Sequence, residues 1–407
     1  MADLSPVWVR APRLRRPADE PERGASAYEL FFDLVFVAAV SQVATSLSRE
    51  PTAAVFLRFA ALFIPITWAW GGFTFYANRF EDDDIVYRLV LAVAMLAIVA
   101  FAVDVHSVMR DGHGSDVLAA SYAVTRVCLV GLYWRARPYT AGPGRALIDR
   151  YLRGFSAGAV LWIASVGISG PARYWLWGAA LVIELATPPL AWRPLDGSVN
   201  VAHLTDRFGG FFIIVLGESV VSVVAGVAGT HFSAAAATIA VAGFVVALCL
   251  WWIYFDLADT SVVGRGVLGL VYVYVHILLF AGVAALAAGT KIAITDADAS
   301  TLEAGARWAM CGGLACYLLA LAVMHLSAEW TKPRERAFIG RLTVSVALIA
   351  LAAAGAALAP LAFVTILAAM LLGQLVLELA TPPIGAASVW SPGAAINAPT
   401  AAPSPAQ

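Results

Sequence analysis

The chain is poor in charge. Asp, Glu, Lys and Arg make up only 13% of 407 residues, against about 25% in a soluble domain. That excludes a water-soluble globular protein. There is no excess of either sign, since the net charge is −1, so no nucleic-acid partner is expected. Cysteine is scarce. Cys128, Cys249, Cys311 and Cys316 all fall inside apolar runs, without zinc or disulfide spacing. They read as small core residues. No P-loop, dinucleotide fingerprint or HExxH helix is present, so neither cofactor nor metal is expected. Ser219 in "GES" has no His-Asp partner in view for nucleophilic catalysis. The first 27 residues are rich in Arg and Pro and lack the apolar core of a cleavable signal. The first apolar helix would then be the targeting signal.

What the chain has is apolar length. Hydrophobic residues make up 61%, and a helix crossing a bilayer needs about 20 of them. Twelve runs qualify: 30–48, 53–75, 85–105, 115–135, 148–168, 172–190, 208–228, 234–256, 266–288, 303–325, 338–358 and 360–381. The expected fold is an all-α polytopic membrane protein of about twelve transmembrane helices. Residues 1–27 form a cytoplasmic arm, and the Ala/Pro/Ser-rich 385–407 forms a disordered tail. With the N-terminus inside, 19 of the 26 Lys and Arg fall in inner segments and only Arg49, Arg110, Arg173 and Lys291 in outer ones. The positive-inside rule then places both termini in the cytoplasm of a multi-pass cell-membrane protein.

The chain also repeats itself. "ELATPPL" at 184–190 returns as "ELATPPI" at 378–384, and the "FF" at 31–32 returns at 211–212. Arg126 has a counterpart in Arg307. Two six-helix repeats follow, 28–192 and 193–384. Six is even, so the repeats are parallel, and sites in such proteins tend to lie between the halves.

Three stretches carry a resemblance: "YELFFDLVFVAAVSQ" at 28–42, "YANRFEDDDIVYRL" at 76–89 and "HLTDRFGGFFIIVLGESVVSV" at 203–223. Together they resemble the bacterial low-temperature-requirement A (LtrA) family, over about residues 25–385. Asp206 stands where that family more often has glutamate. The resemblance implies a polytopic membrane protein and, through the family's name, a stress response; it implies little about activity. "ELFFDLVF" is also similar to the first-helix pattern of lysosomal-type potassium channels. There the second half repeats the motif, whereas here Ile213 in "GGFFIIVLG" stands where Asp33 would.

The polar residues inside the runs each admit two readings. Glu29 fits a capping box with Ser26, or opens a site together with Asp33, one turn deeper on the same face. Glu218 lies far into the seventh run. A charge at that depth costs about 3 kcal/mol, so it marks an ion or proton path or a structural hydrogen bond. His203, Asp206 and Arg207 form either a solvated cap or a gate feeding Glu218. His276 is a core histidine or a proton relay. Arg126–Glu184 and Arg307–Glu378 are expected as buried structural pairs. Thr-Pro-Pro after each of these glutamates should stop its helix. "RFEDDD" at 79–84 reads as a solvated charge run, and Trp70 and Trp252 as belt or cavity residues. The substrate or ion path would comprise Glu218, Asp33, Glu29, His203, Asp206, Arg207 and His276. The expected function is a secondary transporter or ion- or proton-coupled permease, with membrane lipids and an unknown small molecule or ion as partners and a homo-oligomer left open. A cation channel and a membrane-embedded enzyme acting on a lipid-like substrate are the alternatives.

Overall fold

The computed structural model describes residues 9–15, 24–111, 115–191, 199–230, 233–257, 267–327 and 332–380; the tail at 385–407 lies outside them. The described residues form twelve α-helices: α1 Ala27–Arg49, α2 Ala53–Arg79, α3 Ile85–Asp111, α4 Asp116–Ala136, α5 Gly142–Ala164, α6 Pro171–Ala191, α7 Val201–Ala228, α8 Ala234–Trp252, α9 Val267–Thr295, α10 Ala304–Ser327, α11 Lys332–Ala354 and α12 Pro360–Leu379. Every one of the twelve apolar runs coincides with a helix. Ten helices are long and apolar enough to cross a membrane. The other two are α5, with Arg145, Asp149, Arg150 and Arg153 in its first half, and α6, with three prolines.

Local chemistry sets the helix starts. Ser26 and Glu29 make the expected capping box, with Ser26 N donating to Glu29 Oε2 at 2.8 Å. At α2, α4, α7 and α8 the side chains of Thr52, Ser115, Asn200 and Ser233 each accept one backbone N–H of the first turn. Pro360 opens α12, where its missing N–H is no loss. The prolines of "ELATPPL" do not stop α6, which runs on to Ala191. Pro189 has no N–H for the Leu185 carbonyl; Tyr274 of α9 donates to that carbonyl instead, at 2.5 Å. Neighbouring elements can satisfy a freed carbonyl in this way.

The helices have a proximal end, where α1 begins, and a distal end. At the proximal end the arm is pinned down. Arg13–Leu14 (β1) pairs antiparallel with Phe80–Glu81 (β2), and Arg10 N donates to Asp84 Oδ2 at 2.9 Å. "RFEDDD" is not a solvated run. Asp82 and Asp84 are buried and share Arg135 of α4, at 2.9 and 2.6 Å, while Asp83 faces outward, bound to Arg88. Burial holds the Asp82 carboxyl above its usual range, against the hydrogen bond from Tyr76 and the charge of Arg135.

α9 is the central helix, packed against α1, α2 and α6 as well as α7, α8, α10 and α12. Its tightest neighbour is α10. A Cβ on Gly282 would lie 2.4 Å from the Gly313 carbonyl, and one on Gly313 equally close to that of Gly282. Only glycine permits that approach. Trp70 of α2 sits against Phe208 and Phe211 of α7 and Phe280 of α9, locking the centre. Large apolar side chains such as Leu57, Leu96, Val103 and Val346 are exposed on the outside.

Candidate functional site

The first polar layer joins α1, α2 and α7. Glu29 and Asp33 are one turn apart on α1, and His203 and Arg207 one turn apart on α7. Each pair shares a face, and the two faces meet. His203 Nε2 lies 3.1 Å from Glu29 Oε1 and Arg207 3.2 Å from the same oxygen, while Arg207 also bonds Asp33. Trp70 Nε1 donates to Asp33 Oδ1 at 2.6 Å. Asn78 closes the set. Its Nδ2 is 3.1 Å from His203 Nδ1 and donates to the Asn200 carbonyl at 2.7 Å, and its Oδ1 accepts from Asn200 N at 3.1 Å. All four ionisable groups are buried, Asp33 and His203 fully. Asp33 Oδ2 has no hydrogen-bond partner among the described residues.

Glu218 belongs to a second layer, about 16 Å further along α7 by helical rise. It is 8% exposed. Ser41 of α1, Ser222 and Lys291 of α9 are the polar groups around its carboxylate. Lys291 is therefore not an outer-loop residue: α9 extends to Thr295. Buried Phe36, Val40, Phe211 and Val215 lie between the two layers along α1 and α7. Asp206 is exposed, near Gly24 and within electrostatic reach of His203, at the rim of the first layer.

His276 is fully buried in an aromatic nest of Phe208, Tyr272 and Phe280. Its Nδ1 lies 2.6 Å from the Tyr272 carbonyl, which can only accept, and its Nε2 lies 2.9 Å from the Tyr254 hydroxyl. The neutral tautomer protonated at Nδ1 satisfies both.

Arg126 and Glu184 do pair. Arg126 Nε is 3.2 Å from Glu184 Oε2, both side chains are fully buried, and Tyr122 hydroxyl accepts from Arg126 at 2.7 Å. Gly158 of α5 makes room, because a Cβ there would lie 2.6 Å from the Glu184 carboxylate. Arg307 and Glu378 do not pair. Arg307 lies in the first turn of α10 at the distal end and donates to the carbonyls of Leu302 and Ala352. Glu378 ends α12 at the proximal end, where Arg341 of α11 grips it at 2.8 and 2.6 Å and Gln374 donates to it at 2.8 Å. The two helix ends are a membrane thickness apart. Breaking a buried pair costs about 3–5 kcal/mol in soluble proteins. Glu184→Ala should therefore cut the folded yield, and adding Arg126→Ala should restore part of it, read by size-exclusion of detergent extracts; additive losses would mean the two groups do not interact.

At the proximal end a narrow, partly open cavity lies among α2, α4, α5, α6, α7 and α9. Trp68, Phe75, Arg79, Tyr133, Tyr151 and Tyr274 line it. Glu29, Asp33, His203 and Glu218 are not among its lining residues. Trp70 backs onto the first layer, and Trp252 is partly exposed. Among the described residues no group of His, Cys, Asp and Glu could hold a metal ion.

Trp70, Asn78 and Thr74, whose hydroxyl accepts from Arg207 at 3.5 Å, are absent from the predicted path. Their spacing of four is a polar stripe on one face of an apolar helix, a readable signal. Arg79 carried none, since an arginine at a helix end reads as an orientation charge.

A model of the bacterial low temperature requirement A proteins matches residues 24–376 of the chain. An uncharacterized protein of Rhizobium meliloti (strain 1021), RA0937, is 25% identical over 320 residues, which is 72% of this chain and 74% of that protein.

Proposed function

This chain belongs to the bacterial low temperature requirement A family, and on that premise we propose that it is a secondary transporter, or an ion- or proton-coupled permease, of the cell membrane. In this reading all twelve helices cross the bilayer, both termini are cytoplasmic and the proximal end faces inward. The Lys/Arg asymmetry supports that orientation. Two parallel six-helix repeats form the transporter. Paired helix starts support them: the offset grows from 174 residues between α1 and α7 to 189 between α6 and α12.

One observation carries the proposal. Glu29–His203 and Asp33–Arg207 are each separated by 174 residues, the same offset that separates the caps Ser26 and Asn200. Residues at equivalent repeat positions that touch each other lie on the axis relating the halves. The first layer is therefore a charged seam between two bodies, acids on one side and bases on the other. With His203 neutral, the four groups sum to −1, and one proton makes them neutral. Burying an unbalanced charge is costly, so proton occupancy and the closure of the seam are linked. Asp33 Oδ2, buried and unpartnered, is a place for that proton. Glu218 is a second titratable station, beyond the apolar layer.

The test uses proteoliposomes holding a pH-sensitive dye, with an imposed pH gradient and a panel of small carboxylates, amines and alkali cations. At least one class should speed collapse of the gradient over empty vesicles. No acceleration by any class would contradict the proposal.

A further inference from the structure

Among the described residues, the buried arginines other than Arg79 find acids or carbonyls. Arg126, Arg207 and Arg341 have carboxylates, and Arg307 has backbone oxygens. Arg79 is the exception. It is 6% exposed, and its partners are aromatic: NH1 donates to the Tyr151 hydroxyl at 3.1 Å, and the guanidinium lies 5.2 Å from the Tyr151 ring and 5.6 Å from that of Phe75. No carboxylate among the described residues pairs with it. Its Nε is buried without a partner, as is Nε1 of Trp68, and both residues line the proximal cavity. A Cβ on Gly71, on the same wall, meets nothing within 4 Å.

A guanidinium without a counter-ion, in a partly enclosed aromatic chamber with a second idle N–H, is complementary to an anion attached to something apolar. We propose that the cavity binds a monoanionic amphiphile: a carboxylate received by Arg79, with a slender apolar or aromatic body lying along Trp68, Phe75 and Tyr274. On the transport reading above, this ligand is the transported solute. The chemistry fits a fatty acid entering from the membrane or a small aromatic acid entering from water.

The test is equilibrium binding of labelled palmitate and labelled 3-phenylpropionate to the full-length protein in nanodiscs, without a gradient. Hexadecanol and 3-phenylpropanol serve as uncharged controls. One of the two acids should bind saturably and its alcohol should fail to compete; which acid binds identifies the source. Arg79→Gln should weaken binding about tenfold or more, the worth of a charge-assisted bond, and Arg79→Lys should retain part. Gly71→Met keeps Arg79 and fills the space, so it should also weaken binding, and it decides the matter if Arg79→Gln does not fold. The proposal is overturned if neither acid binds, if the alcohol competes equally, or if Arg79→Gln or a folded Gly71→Met binds like the wild type. An acid that binds but never speeds gradient collapse would leave the site standing and remove the transport reading. Transport of another solute class without acid binding would do the reverse.

Discussion

Arg207→Gln should be the most damaging single substitution in the protein. It leaves Glu29 and Asp33 buried one turn apart with no permanent cation between them. Removing one partner of a buried pair costs about 3–5 kcal/mol, and here two carboxylates lose the same partner. Folded yield and heat resistance in detergent should collapse. Asp33→Asn added to Arg207→Gln removes one orphaned charge and should restore part of the loss, with a coupling of about 0.5–3 kcal/mol. Arg307→Gln is the control. Its partners are carbonyls, so no charge is orphaned and the loss should be smaller. Additive effects of Asp33→Asn and Arg207→Gln would show that the bond between them carries no energy of its own.

Glu218→Gln should have the largest effect on activity. Glutamine keeps the shape and remains polar beside Ser41 and Ser222, but it cannot titrate. Expression should stay near wild type, because the exchange also removes a charge that costs about 3 kcal/mol at such depth. Solute-dependent collapse of the pH gradient should disappear. Asp33→Asn should weaken it less, since Glu29 still faces Arg207 and His203. Full gradient-driven activity in Glu218→Gln would remove this residue from the path.

Helix number and positions were legible in the sequence because a membrane demands length and low polarity, and both are visible without any contact. Arg126–Glu184 was legible for a related reason: two opposite charges in apolar runs must find each other. Arg307–Glu378 failed because sequence places a residue along its helix only roughly. Arg307 stands three residues from the start of α10 and Glu378 one from the end of α12, at opposite ends of the bundle. On the proposed repeat, the double phenylalanine gives an offset of 180 and the helix caps Ser26 and Asn200 one of 174; the first sets Ile213 against Asp33, the second Arg207. The shared faces of Glu29–Asp33 and His203–Arg207 could be read from spacing. That they face each other could not, because that is a contact between halves. Asp82 and Asp84 looked solvated because their partner, Arg135, is 51 to 53 residues away.

The central claim is that protonation of the charged seam governs how the two halves sit against each other. It is tested most directly by electron–electron distance measurement between spin labels at Tyr139 and Ile339, exposed residues of opposite halves, with the four native cysteines replaced by alanine. Histidine changes charge between about pH 5 and pH 8. Across that range the wild type should shift between two distance populations, and the double variant Glu29→Gln/His203→Gln should hold one. A single distance in the wild type, unchanged across the range, would contradict the account.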